Sequence, residues 1–139
     1  MSVDSFFFVR DENLPTISQW QVAFDQAEID IVLENVGDLR THTGYLPATY
    51  HGNPSGFEWY FGSLAVTFGG DLPQNLSGRE YVIDCVTHSD IQEWICGMTA
   101  CSVFSRLVDG VFFDEESGQL ISADAALEMV QGLESKCND

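Results

Sequence analysis

The sequence predicts an α+β fold: one domain over residues 1–139, with a mostly antiparallel sheet of about five strands and two to three helices packed mainly on one face. Two patterns carry this prediction. Short runs of β-branched and aromatic residues are separated by turns rich in glycine and proline, and longer stretches repeat apolar residues every three or four positions. A chain of 139 residues is also long enough to bury most of its apolar surface around one core.

The first elements are predicted from residues near the start of the chain. Residues 5–10, SFFFVR, form a bulky run that is typical of a buried strand. A helix is expected over residues 16–28, because Thr16 and Gln19 match the capping box that begins many helices. Its apolar stripe comprises Ile17, Trp20, Phe24 and Ala27. Residues 30–39 then predict a strand with β-branched residues at its centre.

Glycine and proline punctuate the middle of the chain. Residues 40–56 carry one or the other every few positions, which predicts a long surface loop. Residues 57–68 are aromatic and favour a strand, and residues 69–80 form another turn-rich connection. Residues 81–88 alternate two sets of side chains, so they predict a strand with both faces at least partly covered.

The second helix has the clearest pattern of all. Ser89 or Asp90 caps it, and apolar residues at helical spacing continue to about residue 108. Gly97, inside the helix, predicts close packing against a neighbouring element. Gly110 stands where a left-handed cap is expected at the end of a helix.

Residues 108–122, VDGVFFDEESGQLIS, place four carboxylates around two phenylalanines, namely those of Asp109, Asp114, Glu115 and Glu116. GVFF and GQLIS predict two strands joined by the turn DEES, and Ser122 is expected to cap a final helix. The carboxylates do not have the spacing of a calcium-binding EF-hand loop. They form either a solvated turn or a binding surface for a basic partner, since loops often carry binding residues.

The charge balance excludes some classes of partner. The chain has 22 aspartates and glutamates against 5 lysines and arginines, which gives a formal charge of −17. This charge would repel nucleic acid and anionic membranes, whereas it would speed association with a basic protein. Solubility or adaptation to salt is the alternative explanation. The chain has neither a secretory signal pattern nor an apolar stretch of the roughly 20 residues that span a membrane, so a cytoplasmic protein is expected.

No catalytic or metal-binding motif stands out. His42, His51 and His88 lack a second ligand at metal spacing, and the four cysteines lack the CxxC pairing of zinc sites. The glycine-rich stretches match no phosphate-binding motif. We therefore expect no cofactor, metal ion or catalytic residue. A second acidic patch, with an aromatic residue in it, is predicted for partner binding at Glu58, Trp59 and Asp71.

Four stretches carry a resemblance to a known group of proteins: LPTISQW at 14–20, GYLP at 44–47, GFEWYF at 56–61 and DGVFFDEESG at 109–118. Together they resemble small acidic bacterial proteins similar to the immunity proteins of contact-dependent and other polymorphic toxin systems. The resemblance implies a protein that binds a cognate toxin domain in the cytoplasm and blocks its active site or an essential surface. It implies no catalytic residue.

Three functional hypotheses follow from the sequence. The first is a non-enzymatic inhibitor of a basic toxin domain, such as a nuclease or deaminase, because an acidic surface can take the place of nucleic-acid phosphates in a basic groove. The second is a small enzyme that uses the loop histidines or a pair of carboxylates, which would need a pocket that gathers them. The third is an assembly component, which would need a large apolar surface patch.

Overall fold

The structure is a computed structural model that describes residues 2–10, 14–64, 76, 78–88 and 90–137. Its elements, in chain order, are β1 (Ser2–Val9), α1 (Ile17–Gln26), β2 (Ile31–Leu33), β3 (Gly44–Tyr50), β4 (Asn53–Ser63), β5 (Tyr81–His88), α2 (Ile91–Leu107), β6 (Val111–Asp114), β7 (Gln119–Ser122) and α3 (Ala123–Cys137). Within these residues no helix combines the length and the apolar character needed to cross a membrane.

The seven strands form one open antiparallel sheet in the order β2-β3-β4-β5-β1-β6-β7. The first strand lies inside this sheet, with β5 on one side and β6 on the other. The predicted α+β class is therefore confirmed, with three helices in the described residues. The predicted number of about five strands is too low, because the described part of the chain already contains seven.

The expectation of a long surface loop over residues 40–56 is wrong. Strands β3 and β4 form a hairpin across most of this segment, and its turn consists of His51 and Gly52, both with positive φ. Positive φ at both central residues is typical of the tight turn that matches the twist of a hairpin. The glycines and prolines that predicted a loop therefore serve a turn and its flanking strands. By contrast, the strand predicted over residues 30–39 is confined to β2.

All three helices contribute to one core on a single face of the sheet. An aromatic cluster lies at its centre, where the rings of Trp20 in α1 and Trp59 in β4 both pack against Phe104 in α2, with centroids 4.9 and 5.1 Å apart. Each indole N–H is also satisfied, since Trp20 donates to the carbonyl of Ala100 and Trp59 to that of Leu39. Buried polar groups without such partners are costly, so these bonds help to fix both rings.

Helix α2 approaches the sheet closely because Gly97 has no side chain. A Cβ atom at this position would lie 2.9 Å from Cγ2 of Thr87, 3.0 Å from Sγ of Cys85 and 3.2 Å from Cβ of Phe57. The close packing predicted for Gly97 is therefore confirmed. It sets the distance between α2 and the strands that carry these neighbours, β4 and β5.

The three predicted helix starts are also confirmed. Thr16 and Gln19 form the complete capping box, Asp90 accepts a bond from the amide of Gln92, and Ser122 accepts one from the amide of Ala125. Such caps satisfy backbone N–H groups that have no partner within the helix.

The end of α2 differs from the prediction. Asp109, and not Gly110, adopts the left-handed conformation, with φ of 54°. The amide of Gly110 then donates to the carbonyl of Ser105 at 2.7 Å, as in a Schellman motif. A glycine is needed at position 110 for a different reason, because a Cβ atom there would lie 2.9 Å from Cβ of Ser105 and 3.0 Å from Cγ1 of Val9.

Candidate functional site

The turn between β6 and β7, residues 114–118, presents carboxylates in a fixed arrangement; we call it the acidic turn. Asp114 stabilises the acidic turn by hydrogen bonds inside it, because its carboxylate accepts bonds from the hydroxyl of Ser117 at 2.9 Å and from the amide of Glu116 at 3.3 Å. Gly118 has φ of 72°, and its amide donates to the carbonyl of Asp114. The turn itself was predicted from the sequence.

Glu115 and Glu116 are the exposed carboxylates of the acidic turn. Neither takes part in a salt bridge with any other residue in the described part of the chain. Asp114, in contrast, is half-buried and engaged within the turn. Of the predicted partner-binding residues in this stretch, Glu115 and Glu116 are therefore the two best placed to meet a cation from outside.

Asp109 has a structural role in addition to its exposure. Its carboxylate lies 3.4 Å from both the Arg10 and the Arg79 guanidinium groups, and its carbonyl accepts a bond from Nε of the buried Arg79. Because its charge is already met by two arginines and its backbone ends α2, Asp109 is less suited to a partner than the sequence suggested.

An apolar groove adjoins the acidic turn. It consists of two connected hollows of about 290 and 430 Å³, and Val3, Trp94 and Leu133 line both. The first hollow extends to the acidic turn and Met129, and the second extends to His88, Asp90 and Ile91. The groove therefore lies between the beginning of β1, the first turns of α2 and the last turns of α3.

The side chains of this groove are unusually exposed for apolar residues. Val3, Ile91 and Leu133 have 43, 50 and 39% of their surface accessible, and Trp94 is partly exposed. This exposure was not predicted from the sequence, because Ile91 and Trp94 continue the helical spacing of the apolar residues that follow them. Complete burial of α2 begins only at Ile95, one turn after Ile91, and nothing in the sequence marks this boundary.

The second predicted patch divides between two faces of the sheet. Trp59 is completely buried and cannot contact a partner, so its prediction as a binding residue is wrong. Successive side chains of a strand point to opposite faces, and the outward positions beside Trp59 belong to Glu58 and Tyr60. Asp71 lies outside the described residues.

Glu58 is the centre of a polar cluster on the outward face. Its carboxylate accepts a bond from the Tyr60 hydroxyl at 2.5 Å and lies 2.5 Å from Nε2 of His88. The bond from Tyr60, followed by that from His88, lowers the pKa of Glu58. Asp84 follows on the same face, where its burial, with the nearby charges of Asp4 and Glu58, raises its pKa to about 7.

The three histidines lie in separate clusters. His42 contacts the carbonyl of Tyr45, His51 lies 3.1 Å from Glu134, and His88 pairs with Glu58. The enzyme hypothesis needed the loop histidines and a carboxylate pair in one pocket, and these contacts do not bring His42 and His51 together. Among the described residues, no group of three His, Cys, Asp or Glu side chains is arranged to hold a metal ion.

Three cysteines are free thiols inside the core: Cys85, Cys96 and Cys101. A hydrogen bond with Cys101, together with burial, raises the pKa of Cys85, and burial raises that of Cys96 to about 11. Thiols with raised pKa values carry little thiolate at neutral pH and are poor nucleophiles.

Comparisons with family models, curated proteins and solved structures found no match for this chain.

Proposed function

We propose that this protein is a non-enzymatic inhibitor of the immunity type, which binds a basic bacterial toxin domain in the cytoplasm and neutralises it. The observation that carries the proposal is the position of the acidic turn beside the apolar groove. Glu115 and Glu116 present negative charge next to exposed apolar side chains, and this combination suits a protein partner with a basic surface.

The net charge supports the same proposal. With 22 acidic residues against 5 basic ones, the chain attracts a basic partner over distances of about 10 Å at moderate salt and thereby speeds their encounter. A toxin domain that cuts or deaminates nucleic acid needs a basic groove for the phosphates of its substrate. Carboxylates placed in that groove would block the substrate.

The first experiment uses the toxin domain expected from the neighbouring gene. The immunity proposal expects a large protein with a variable C-terminal domain to be encoded immediately upstream. We would express that domain with and without this chain, and measure survival of the cells and complex formation by the purified proteins. Survival that requires this chain, together with a stable complex, is the expected result. A toxin domain that binds this chain but keeps its full activity would contradict the proposed inhibition.

The second experiment locates the interface. Changing Glu115 and Glu116 together to lysine, while Asp114 keeps the turn intact, should slow association with that toxin domain by at least about tenfold, because electrostatic steering then opposes encounter. The control variant carries lysine at Glu34 and Glu80, which are exposed and lie outside the groove. Both variants change the net charge equally, so an equal loss of rate in the two would remove the acidic turn from the interface.

A further inference from the structure

The apolar groove has the chemistry of a binding site that is open on one side. Its walls come from three elements that are distant in sequence: Val3 in β1, Ile91 and Trp94 in α2, and Leu133 in α3. Exposed apolar side chains are common singly, whereas a continuous set around a hollow marks a site of interaction. An occupant that covers these four side chains would remove apolar surface from water, and this favours binding.

Carboxylates flank the groove at both ends. Asp4, Glu115 and Glu116 line the hollow next to the acidic turn, and Asp90 lines the other hollow. Among the described residues that line the groove there is no lysine and no arginine, and the one histidine among them, His88, lies 2.5 Å from the carboxylate of Glu58. A chemically complementary occupant therefore has an apolar stripe in its middle and cationic side chains on both sides.

The charge argues against other occupants. A second copy of this chain would bring another 17 negative charges to a surface that is already acidic, so mutual repulsion opposes self-association through the groove. Nucleic acid and anionic lipid are repelled for the same reason. Among macromolecules, a basic protein segment combines both complementary features.

We propose that the groove binds one amphipathic segment of a basic partner, which places apolar side chains on Trp94 between Val3 and Leu133 and directs lysine or arginine toward Glu115, Glu116 and Asp90. The inference rests on the proposed function for the partner's identity as a toxin domain. The groove's preference for a basic amphipathic segment can be tested without that partner.

The fluorescence of Trp94 reports specifically on this groove. This residue is one of three tryptophans, and the other two, Trp20 and Trp59, are completely buried in the core. The probe is a synthetic helical peptide of about 18 residues, or five turns, with leucine along one face and lysine along its flanks. We expect titration of the full-length protein with this peptide to shift Trp94 emission to shorter wavelength and saturate. A peptide with the same lysines but serine in place of leucine should bind at least about tenfold more weakly.

Two variants separate groove binding from general attraction to an acidic protein. Leu133→Asp and Ile91→Asp each add a negative charge while removing an apolar wall. If the peptide were held by electrostatic attraction alone, these variants would bind it more tightly. If it binds in the groove, its affinity should fall by about tenfold, which corresponds to the loss of one buried leucine side chain. Val22→Asp is the matched control, since Val22 is an exposed apolar residue of α1 that does not line the groove. It should bind the peptide as the original protein does, or slightly more tightly.

Every outcome decides between the alternatives. Binding that is unaffected or tightened by both groove variants would overturn the inference, as would equal binding of the serine peptide. Concentration-dependent dimerisation that Leu133→Asp abolishes would also overturn it, because the occupant would then be a second copy. Circular dichroism and thermal unfolding of each variant confirm that it is folded. If the peptide binds as expected but the toxin domain is not inhibited, the inhibitor function fails and the groove assignment stands.

Discussion

Replacing Gly97 with alanine is expected to destabilise the protein, although alanine is the better helix former. Alanine in place of glycine inside a helix contributes about 1 kcal/mol of stability. At this position, however, the new methyl group would meet Thr87, Cys85 and Phe57 at 2.9–3.2 Å. These neighbours are almost completely buried in the sheet beneath α2, so they have little room to move. Overpacking of this kind costs about 1–3 kcal/mol, and three simultaneous contacts place it near the upper limit. The net result is a loss of about 2 kcal/mol.

Gly132 in α3 offers a matched control. A Cβ atom there would have no neighbour within 4 Å, so Gly132→Ala should increase stability by about 0.5–1 kcal/mol through helix propensity alone. Guanidinium chloride unfolding, followed by tryptophan fluorescence, measures both variants on one scale. We expect the two midpoints to move in opposite directions from that of the original protein. A Gly97→Ala variant as stable as the original would refute the explanation that the missing side chain sets the position of α2.

Two further predictions concern titratable side chains in β5 and α2. Burial, with the nearby Asp4 and Glu58, raises the pKa of Asp84 to about 7 when folded, against about 4 when unfolded. The folded state therefore keeps a proton that the unfolded state has lost, and Asp84 costs stability as pH rises from about 4 to about 7. In urea unfolding, the free energy of unfolding of Asp84→Asn relative to that of the original protein should rise across this pH window by on the order of 1 kcal/mol, after allowance for solvent screening. A difference that stays constant with pH would contradict this. Cys85 and Cys96, with raised pKa values, should resist iodoacetamide at about pH 8 until the protein unfolds, as mass spectrometry of the peptides that contain them would show. Rapid labelling of either of these two thiols in the native protein would disprove this.

Local signals were sufficient to predict the helices. The caps at Thr16, Asp90 and Ser122 depend on a side chain and a backbone amide two or three residues away, so short sequence windows contain them. The acidic turn was predictable for the same reason, because Asp114 and Gly118 organise it from within. In the hairpin of β3 and β4, by contrast, strand pairing outweighed the loop signal of its glycines and prolines.

Non-local features were beyond the reach of the sequence. Alternation within β4 requires Glu58 and Trp59 to face opposite ways, but only the position of α2 decides which of them is buried. The apolar groove is a stronger case, since it brings Val3, Ile91 and Leu133 together from three distant elements. Each of these residues on its own resembles an ordinary core residue. Their exposure depends on where the helices end above the sheet.

The interior position of β1 has a consequence for how the chain folds. The closest pairing between β1 and β5, Val9 with Tyr81, joins residues 72 positions apart, and Phe7 pairs across a longer loop with Phe112. Closing such loops costs conformational entropy before stabilising contacts between the strands can form, so this topology favours slow folding. On a ribosome that adds about 5–20 residues per second, β1 would emerge some 5–20 s before β6. Until β5 has emerged, the phenylalanines of β1 have no partner strand at all, and the other side of β1 stays unpaired until β6 follows. Substitutions in β1 should therefore affect the yield of folded protein during synthesis more strongly than substitutions at the edge strand β2.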